Sequence, residues 1–521
     1  MNLRSTLACL RLPACLPACC LACSSRSPTL APCCCRDAAF PLFDLPAKAV
    51  ELVHGFVTRR EDRRALRLTC KESRALVDRD IVAVKKRYLG FSVEEEYGPL
   101  MFADDEDIEL NTIRAEDMDA LVKAPWLLLR LELAYSLGPG MAARLAEADW
   151  PTLQELHLTH STLCGGFREA DIAALAAANF RDLRKLTLAN NGLTAVGAAA
   201  ALAAADWPRL ESLDLTEFKL NGAGMAALAK GRWPCLKTLK LARNWGGDKG
   251  VAALAKGSFP CLESLVLSEC YMGRRGIAAL ASASWARQLQ SLDLSHNTTS
   301  GNIAEAAEKP LLAPLAACSW PCLQRLVLSW TGVGVASAAA LAAADFPALQ
   351  SLDLSNTGLR DGAMAALAAG KWSCLETLDL GSNKLGSTGA AALAAAAWPR
   401  LQKISLLFNK IGDAGAAALA ASRWPALREL DLLRSELGTG AGAALAAADW
   451  PALLALDLRC NNLGAEGTRA LAGARWPCLQ VLKVVDESMP RDVRLALKAR
   501  WPGLKLYINR LTKSGRDGVP V

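Results

Sequence analysis

Six aspartates occupy one slot of a recurring pattern, each between two leucines: Asp214, Asp293, Asp353, Asp379, Asp431 and Asp457. Asp353 and Asp379 are 26 residues apart, and so are Asp431 and Asp457. Carboxylates brought close together can share a proton for acid–base work or hold a hard cation. Lys240 and Lys483 take the same slot near the two ends of the array. Other chemistry-bearing residues are sparse. His157 and His160 lie close in sequence, but two imidazoles without a third ligand do not complete a metal site. Gly332-Val333-Gly334 and Gly438-Thr439-Gly440 look like phosphate loops, yet they fall where each unit turns into its helix. Asn297-Thr298-Thr299 forms a glycosylation sequon at chance frequency. No G-x-S-x-G or P-loop motif occurs, and no cysteine has a histidine in register. These residues predict no enzyme, no cofactor and no metal.

What positions them is a beat. A tryptophan or phenylalanine recurs from Trp126 to Trp501, and nine of the fourteen intervals are 26 residues. Twelve of the fourteen tryptophans fall on it, and Trp330 is one of the two that do not. Self-similarity at such a period marks a solenoid, in which each unit buries its apolar face against its neighbours. Residues 207–230 show the unit: WPRLESLDLTEFKLNGAGMAALAK. Leu213-Asp214-Leu215 alternates as a strand with one buried face does. Asn and Gly then suit a turn, as at Asn383 and Gly386. The Ala-rich run has the strongest intrinsic helix preference, and Trp-Pro stops it, because proline lacks an N–H and displaces its predecessor from helical angles. The tryptophan is expected to plug the loop between layers.

The string L-x-x-L-x-L-x-x-N resembles the leucine-rich-repeat signature over residues 122–508. Units with G-A-x-A-L-A resemble the ribonuclease-inhibitor class of those repeats, and the repeats of some F-box effectors. The resemblance implies an α/β solenoid, a horseshoe of about fifteen β–α units. Parallel strands sit about 4.8 Å apart and helices about 8–10 Å, so such a stack bends with its strands concave. In the family the third, fifth, seventh and eighth positions of the signature face the concave solvent, and Asp at the fifth is common. The eighth is idiosyncratic here: Arg243, His296, Trp330, Asn356, Phe408 and Arg434. Large aromatic and arginine side chains dominate binding energy at interfaces. The expected partner-binding set is Arg243, His296, Trp330, Asp353, Asp379, Phe408, Asp431, Arg434 and Asp457.

Length and charge bound the rest. A chain of 521 residues exceeds one compact domain, but a repeat array grows its core linearly. No apolar run reaches the roughly 18–20 residues that cross a bilayer, so no membrane partner is expected. Net charge is +7, a mild excess that does not point to nucleic acid. Of eighteen cysteines, eight lie in the first 35 residues. Five more hold one repeat position (Cys235, Cys261, Cys322, Cys374, Cys478) and read as small buried hydrophobes in a reducing compartment.

Residues 1–39 read as a disordered or targeting leader, since residues 1–36 carry four Arg and no acid. Residues 40–90 form a second module, 91–121 an acidic linker, and 509–521 a tail. The linker's residues 91–120 hold eleven acids against one Arg. The second module departs from the repeat. Leu45-Pro46 opens an amphipathic helix through Val50, Val53, Phe56 and Val57, and a second runs through Leu66 and Leu68 to Cys70-Lys71. This module resembles an F-box, which docks the Skp adaptor of a cullin–RING ubiquitin ligase. Ser73 stands where the family has Trp, Lys48 where an acid is common, and Arg63-Arg64 where aliphatics are expected. The resemblance implies adaptor contacts at Leu45, Pro46, Val53, Phe56 and Leu66. The alternative is a helical cap over the first repeat's apolar edge, which a solenoid requires.

The functional expectation is protein recognition by the concave face, as substrate receptor of an SCF-type ligase, in cytoplasm or nucleus. The alternatives are a cytosolic, cytoskeletal or axonemal scaffold and, on fold analogy alone, a GTPase-activating repeat protein.

Overall fold

The computed structural model describes residues 118, 122, 130–134, 137–159, 166–191, 196–297, 310–485 and 489–509. The leader, the module at 40–90 with Leu45, Pro46, Val53, Phe56 and Leu66, and nearly all of the acidic linker lie outside the described residues, as do Trp126, His160 and residues 510–521.

Among the described residues, fifteen strands form one open parallel sheet whose spatial order is the order of the sequence, from Arg130–Ala134 to Lys505–Asn509. Most are three residues long, such as Ser212–Asp214, with the central leucine buried and its neighbours half-buried. Leucine stacks on leucine down the ladder: Leu213 pairs with Leu239, and Leu352 with Leu378. The strand read at Leu213 is in place, and its equivalents at Leu239, Leu352, Leu378 and Leu456 pair in parallel in the same register. The long interval between Trp285 and Trp320 leaves the register intact, since Leu292 still faces Leu326. Its extra residues fall after the strand Ser291–Asp293, and residues 298–309 lie outside the described residues.

Short helices such as Gly247–Leu254, Ser387–Ala394 and Thr439–Ala446 lie side by side behind the sheet. Alanine and glycine let their backbones approach closely. A Cβ on Gly442 would collide with the Gly467 carbonyl of the next helix. Acids in the first turn tie helix to helix. The Asp361 carboxylate accepts the Gly386 N–H at 2.7 Å, and that of Asp413 accepts Gly438 at 2.6 Å. Each satisfies an N–H that the following helix leaves orphaned at its start.

The described tryptophans on the beat are buried plugs. Trp424 is 1% exposed, and Trp372 stacks on Trp398 with centroids 5.5 Å apart. Their indole N–H groups differ: Trp398 donates to the Gly370 carbonyl at 2.9 Å, whereas Trp424 Nε1 has no partner among the described residues. Removing such a side chain costs about 3–5 kcal/mol.

An asparagine ladder closes the core behind the strand ends. Asn409 Oδ1 accepts the N–H groups of Asn383 and Leu385, both at 3.0 Å, and its Nδ2 donates to the carbonyls of Leu380 and Leu406. Asn191, Asn244, Asn297, Asn383 and Asn461 likewise donate Nδ2 to a carbonyl of the preceding repeat. Where the slot changes residue, a shorter donor replaces the amide: Thr357 Oγ1 to the Leu354 carbonyl at 2.8 Å, Cys270 Sγ to Leu241 at 3.0 Å. Burial pushes the Cys270 thiol up to about 12.

The cysteines expected to be buried in register are not. Cys261, Cys322 and Cys478 are exposed, Cys235 and Cys374 half-buried, and all described cysteines are free. Each stands two residues after the aromatic of the beat, where the chain passes over the edge of the solenoid before the strand's first leucine enters the core.

Candidate functional site: the strand face and its rim

The structure assigns the six aspartates a turn. In each, Oδ1 accepts the N–H two residues on: Asp353 from Ser355 at 2.9 Å, Asp379 from Gly381 at 2.9 Å, Asp457 from Arg459 at 3.1 Å. Asp214, Asp293 and Asp431 do the same. The carboxylate thereby fixes the chain as it leaves the strand. The close pairs exist, with Asp353 facing Asp379 and Asp431 facing Asp457 across the ladder. Burial, and then the charge of Asp353, push the Asp379 carboxyl above its usual range against the opposing Gly381 hydrogen bond. Asp431 is pushed up by burial and by Asp457 in the same way. Asp457 is neutralised by Arg459 at 2.8 Å and Lys483 at 3.3 Å, and Asp214 faces Lys240 at 3.4 Å. No group of three or more His, Cys, Asp or Glu among the described residues has metal-binding geometry. His157 is half-buried with Nδ1 3.0 Å from the Thr187 hydroxyl, and burial, then Arg130, hold its pKa down.

The eighth position is a different matter. It lies in the turn beyond the strand, and in every repeat from Asn190 to Cys460 it is left-handed: φ is +58° at Trp330, +55° at Phe408, +55° at His296 and +55° at Arg243. That region suits glycine or asparagine, and a bulky side chain there costs on the order of 1–3 kcal/mol. These residues form a rim along the strand ends, with N–H groups still laddered, as Phe408 to the Leu433 carbonyl at 2.8 Å. Trp330 is 41% exposed and Phe408 46%. His296 and Trp330 stack with centroids 5.5 Å apart, and the Arg434 guanidinium lies 5.4 Å from the Phe408 ring centre. Asn356 is half-buried.

A second rim cluster was not foreseen. Arg243 is held between Glu217 at 2.8 Å and Glu269 at 3.4 Å, flanked by Trp245 and Tyr271, which are 53% and 61% exposed. These side chains, with Asn190 and Lys219, line an open cleft of about 450 Å³. Trp245 is the other tryptophan off the beat, so a signal was present in the sequence. Tyr271 left none, because the tenth position is glycine in some repeats (Gly332, Gly358) and carries no fixed direction until the turn is built.

A family model described as Leucine Rich repeat matches residues 373–394, 401–420 and 452–472, and the chain carries leucine-rich repeats in a solenoid. No curated protein matches the sequence. Similar solved structures include the complex of Rad7 and Elc1 in yeast, at 18% identity over 71% of this chain and 83% of that one, with a TM-score of 0.40. The TLR13–ssRNA13 complex is 18% identical over 73% of this chain and 59% of that one, TM-score 0.39. An internalin (InlF) of Listeria monocytogenes is 15% identical over 69% and 87%, TM-score 0.35. No helix among the described residues is long and apolar enough to cross a membrane.

Proposed function

We propose that this chain is a non-catalytic recognition protein that reads a protein partner along its strand-end rim, and that it presents this partner to a cullin–RING ligase through the module at 40–90. The recognition reading is carried by one observation: exposed Trp330 and Phe408 occupy left-handed turns that disfavour them. A side chain kept against its backbone preference is kept for what it touches. Arg243, His296 and Arg434 extend the same edge, whereas Asp353, Asp379, Asp431 and Asp457 shape the turns beneath it. The ligase reading rests on the F-box-like residues Leu45, Pro46, Val53, Phe56 and Leu66, and the Ala-rich helical repeats fit the ribonuclease-inhibitor-like class.

Purified Skp-type adaptor should co-precipitate with the full chain and not with a Leu45→Ala, Phe56→Ala variant of unchanged circular dichroism. Recovery from neither would remove the ligase role and leave a scaffold. The rim reading is tested separately. Once a partner is captured, Trp330→Ala should lower its affinity about tenfold or more, as truncation of a central aromatic does.

A further inference from the structure

The helix face of the array is built mostly of small residues, and one stretch of it gathers lysines. At the end of each helix, just beyond its last leucine, most repeats carry alanine, serine or glycine, as at Ala204, Ser282, Ala343, Ala395 and Ala447. Two consecutive repeats place lysine there, Lys230 and Lys256. In the first turn of the helix between them, Lys249 stands where other repeats have Ala223, Gly362, Ala414 and Gly440. All three lysines are exposed and line one cleft of about 410 Å³, floored by Ala226, Ala229 and Ala252. The helix Gly247–Leu254 separates Lys249 from Lys256, so one cation marks one end of the cleft and two mark the other. An eight-residue helix is about 12 Å long.

Among the described residues none of the three lysines has an ion-pair partner. On the strand side, by contrast, Lys185, Lys237, Lys403 and Lys410 all face glutamates within 3.5 Å. The acid nearest in sequence, Asp248, points its Oδ1 at the N–H groups of Gly273 and Gly276, both at 2.7 Å. Arg275, one repeat on from Lys249 and exposed, extends the positive surface.

We propose that this cleft docks an acidic peptide segment of a protein partner, extended along the groove between the helices Gly222–Leu228 and Gly247–Leu254. Charge complementarity identifies the occupant. Lysines are flexible point charges that suit single carboxylates spaced along a chain. The small floor lets the peptide backbone lie close, so that carboxylates reach both ends. The surface lies on the helices rather than on the strand-end rim and serves a second contact.

The test is fluorescence anisotropy of labelled octaglutamate, with octaglutamine as neutral counterpart, on the full chain. Octaglutamate should bind and octaglutamine should not, and affinity should fall several-fold as salt rises from about 50 to about 300 mM. Lys230→Glu, Lys249→Glu, Lys256→Glu combined should weaken octaglutamate at least about tenfold, while Trp245→Ala on the rim leaves it unchanged. Equal binding to wild type and triple variant, or none to either, would overturn the proposal. So would tighter, lysine-dependent retention on phosphatidylcholine vesicles with about 30 mole per cent phosphatidylserine, which would make the occupant a lipid surface. Binding that arises only after Glu94→Gln, Glu95→Gln and Glu96→Gln would assign the cleft to the chain's own acidic segment.

Discussion

Phe408 and Asn409 are neighbours in the chain and opposites in the structure. Asn409 is 2% exposed and spends its amide on the backbones of two repeats; Phe408 is 46% exposed in a left-handed turn. The same contrast runs along the array, with Asn383 inside Ser382 and Asn297 inside His296. The inner position answers to orphaned backbone groups, and few side chains satisfy them, so its chemistry repeats. The outer position meets mainly its own counterparts on neighbouring repeats, as Arg243 meets Glu217 and Glu269 and His296 meets Trp330. Its identity wanders from Arg243 to His296 to Trp330, and the chain accepts backbone strain there. Stability lies in the inner ladder, and what a partner can read lies in the outer one.

The contrast is sharpest at that pair. Asn409→Ala orphans backbone groups on its own repeat and on the preceding one at about 1–3 kcal/mol each, whereas Phe408→Ala should stay within about 0.5 kcal/mol. Urea denaturation measures both. An Asn409→Ala chain as stable as wild type would break the comparison. Because coupling runs to neighbouring repeats, hydrogen exchange should rise around residues 380–437 before it rises elsewhere.

The core contains a subtler version. Trp398→Phe leaves the Gly370 carbonyl without its indole donor and should cost about 1–3 kcal/mol. Trp424→Phe removes an N–H that has no partner and should cost less. Equal losses in thermal melts would mean that volume alone sets the energetics of the plugs.

Phe408→Gly tests strain directly. Glycine relieves the left-handed turn but loosens the unfolded chain, by roughly 1 kcal/mol in each direction, so stability should hardly move. Affinity for a captured partner should still fall. A large loss of stability would show that Phe408 supports the fold.

The smallest effect concerns the facing carboxylates. The folded-state pKa of Asp379 is raised, so the stability it contributes is fully present at low pH and is lost as pH rises through that pKa. At neutral pH the ionised pair is therefore unfavourable. Asp379→Asn keeps an acceptor for Gly381 and removes the repulsion, which should stabilise by about 0.2–1 kcal/mol at pH 7 and by less on acidification. A melting difference independent of pH would mean that Asp353 and Asp379 do not interact.

The repeat, the strand centres, the parallel register and the buried tryptophans were legible from the residues alone, because each follows from period and apolar alternation. Leu213 could face only inward once Asp214 faced outward, and Trp-Pro could only end a helix. The fate of polar side chains was not legible in that way. The recurring aspartates could have been paired acids, and only the built turn shows their Oδ1 atoms bound to the chain. The cysteines in register repeat as a core residue would, yet the chain crosses an edge where they stand. Arg243 and Trp245 come from one repeat and Tyr271 from the next, and they line one cleft only because turn geometry projects them to one side. Periodicity determines which residues are equivalent. Where equivalent residues point, and what their neighbours leave unsatisfied, is decided by stacking, since a side chain's direction depends on turn dihedrals and on the repeat beside it.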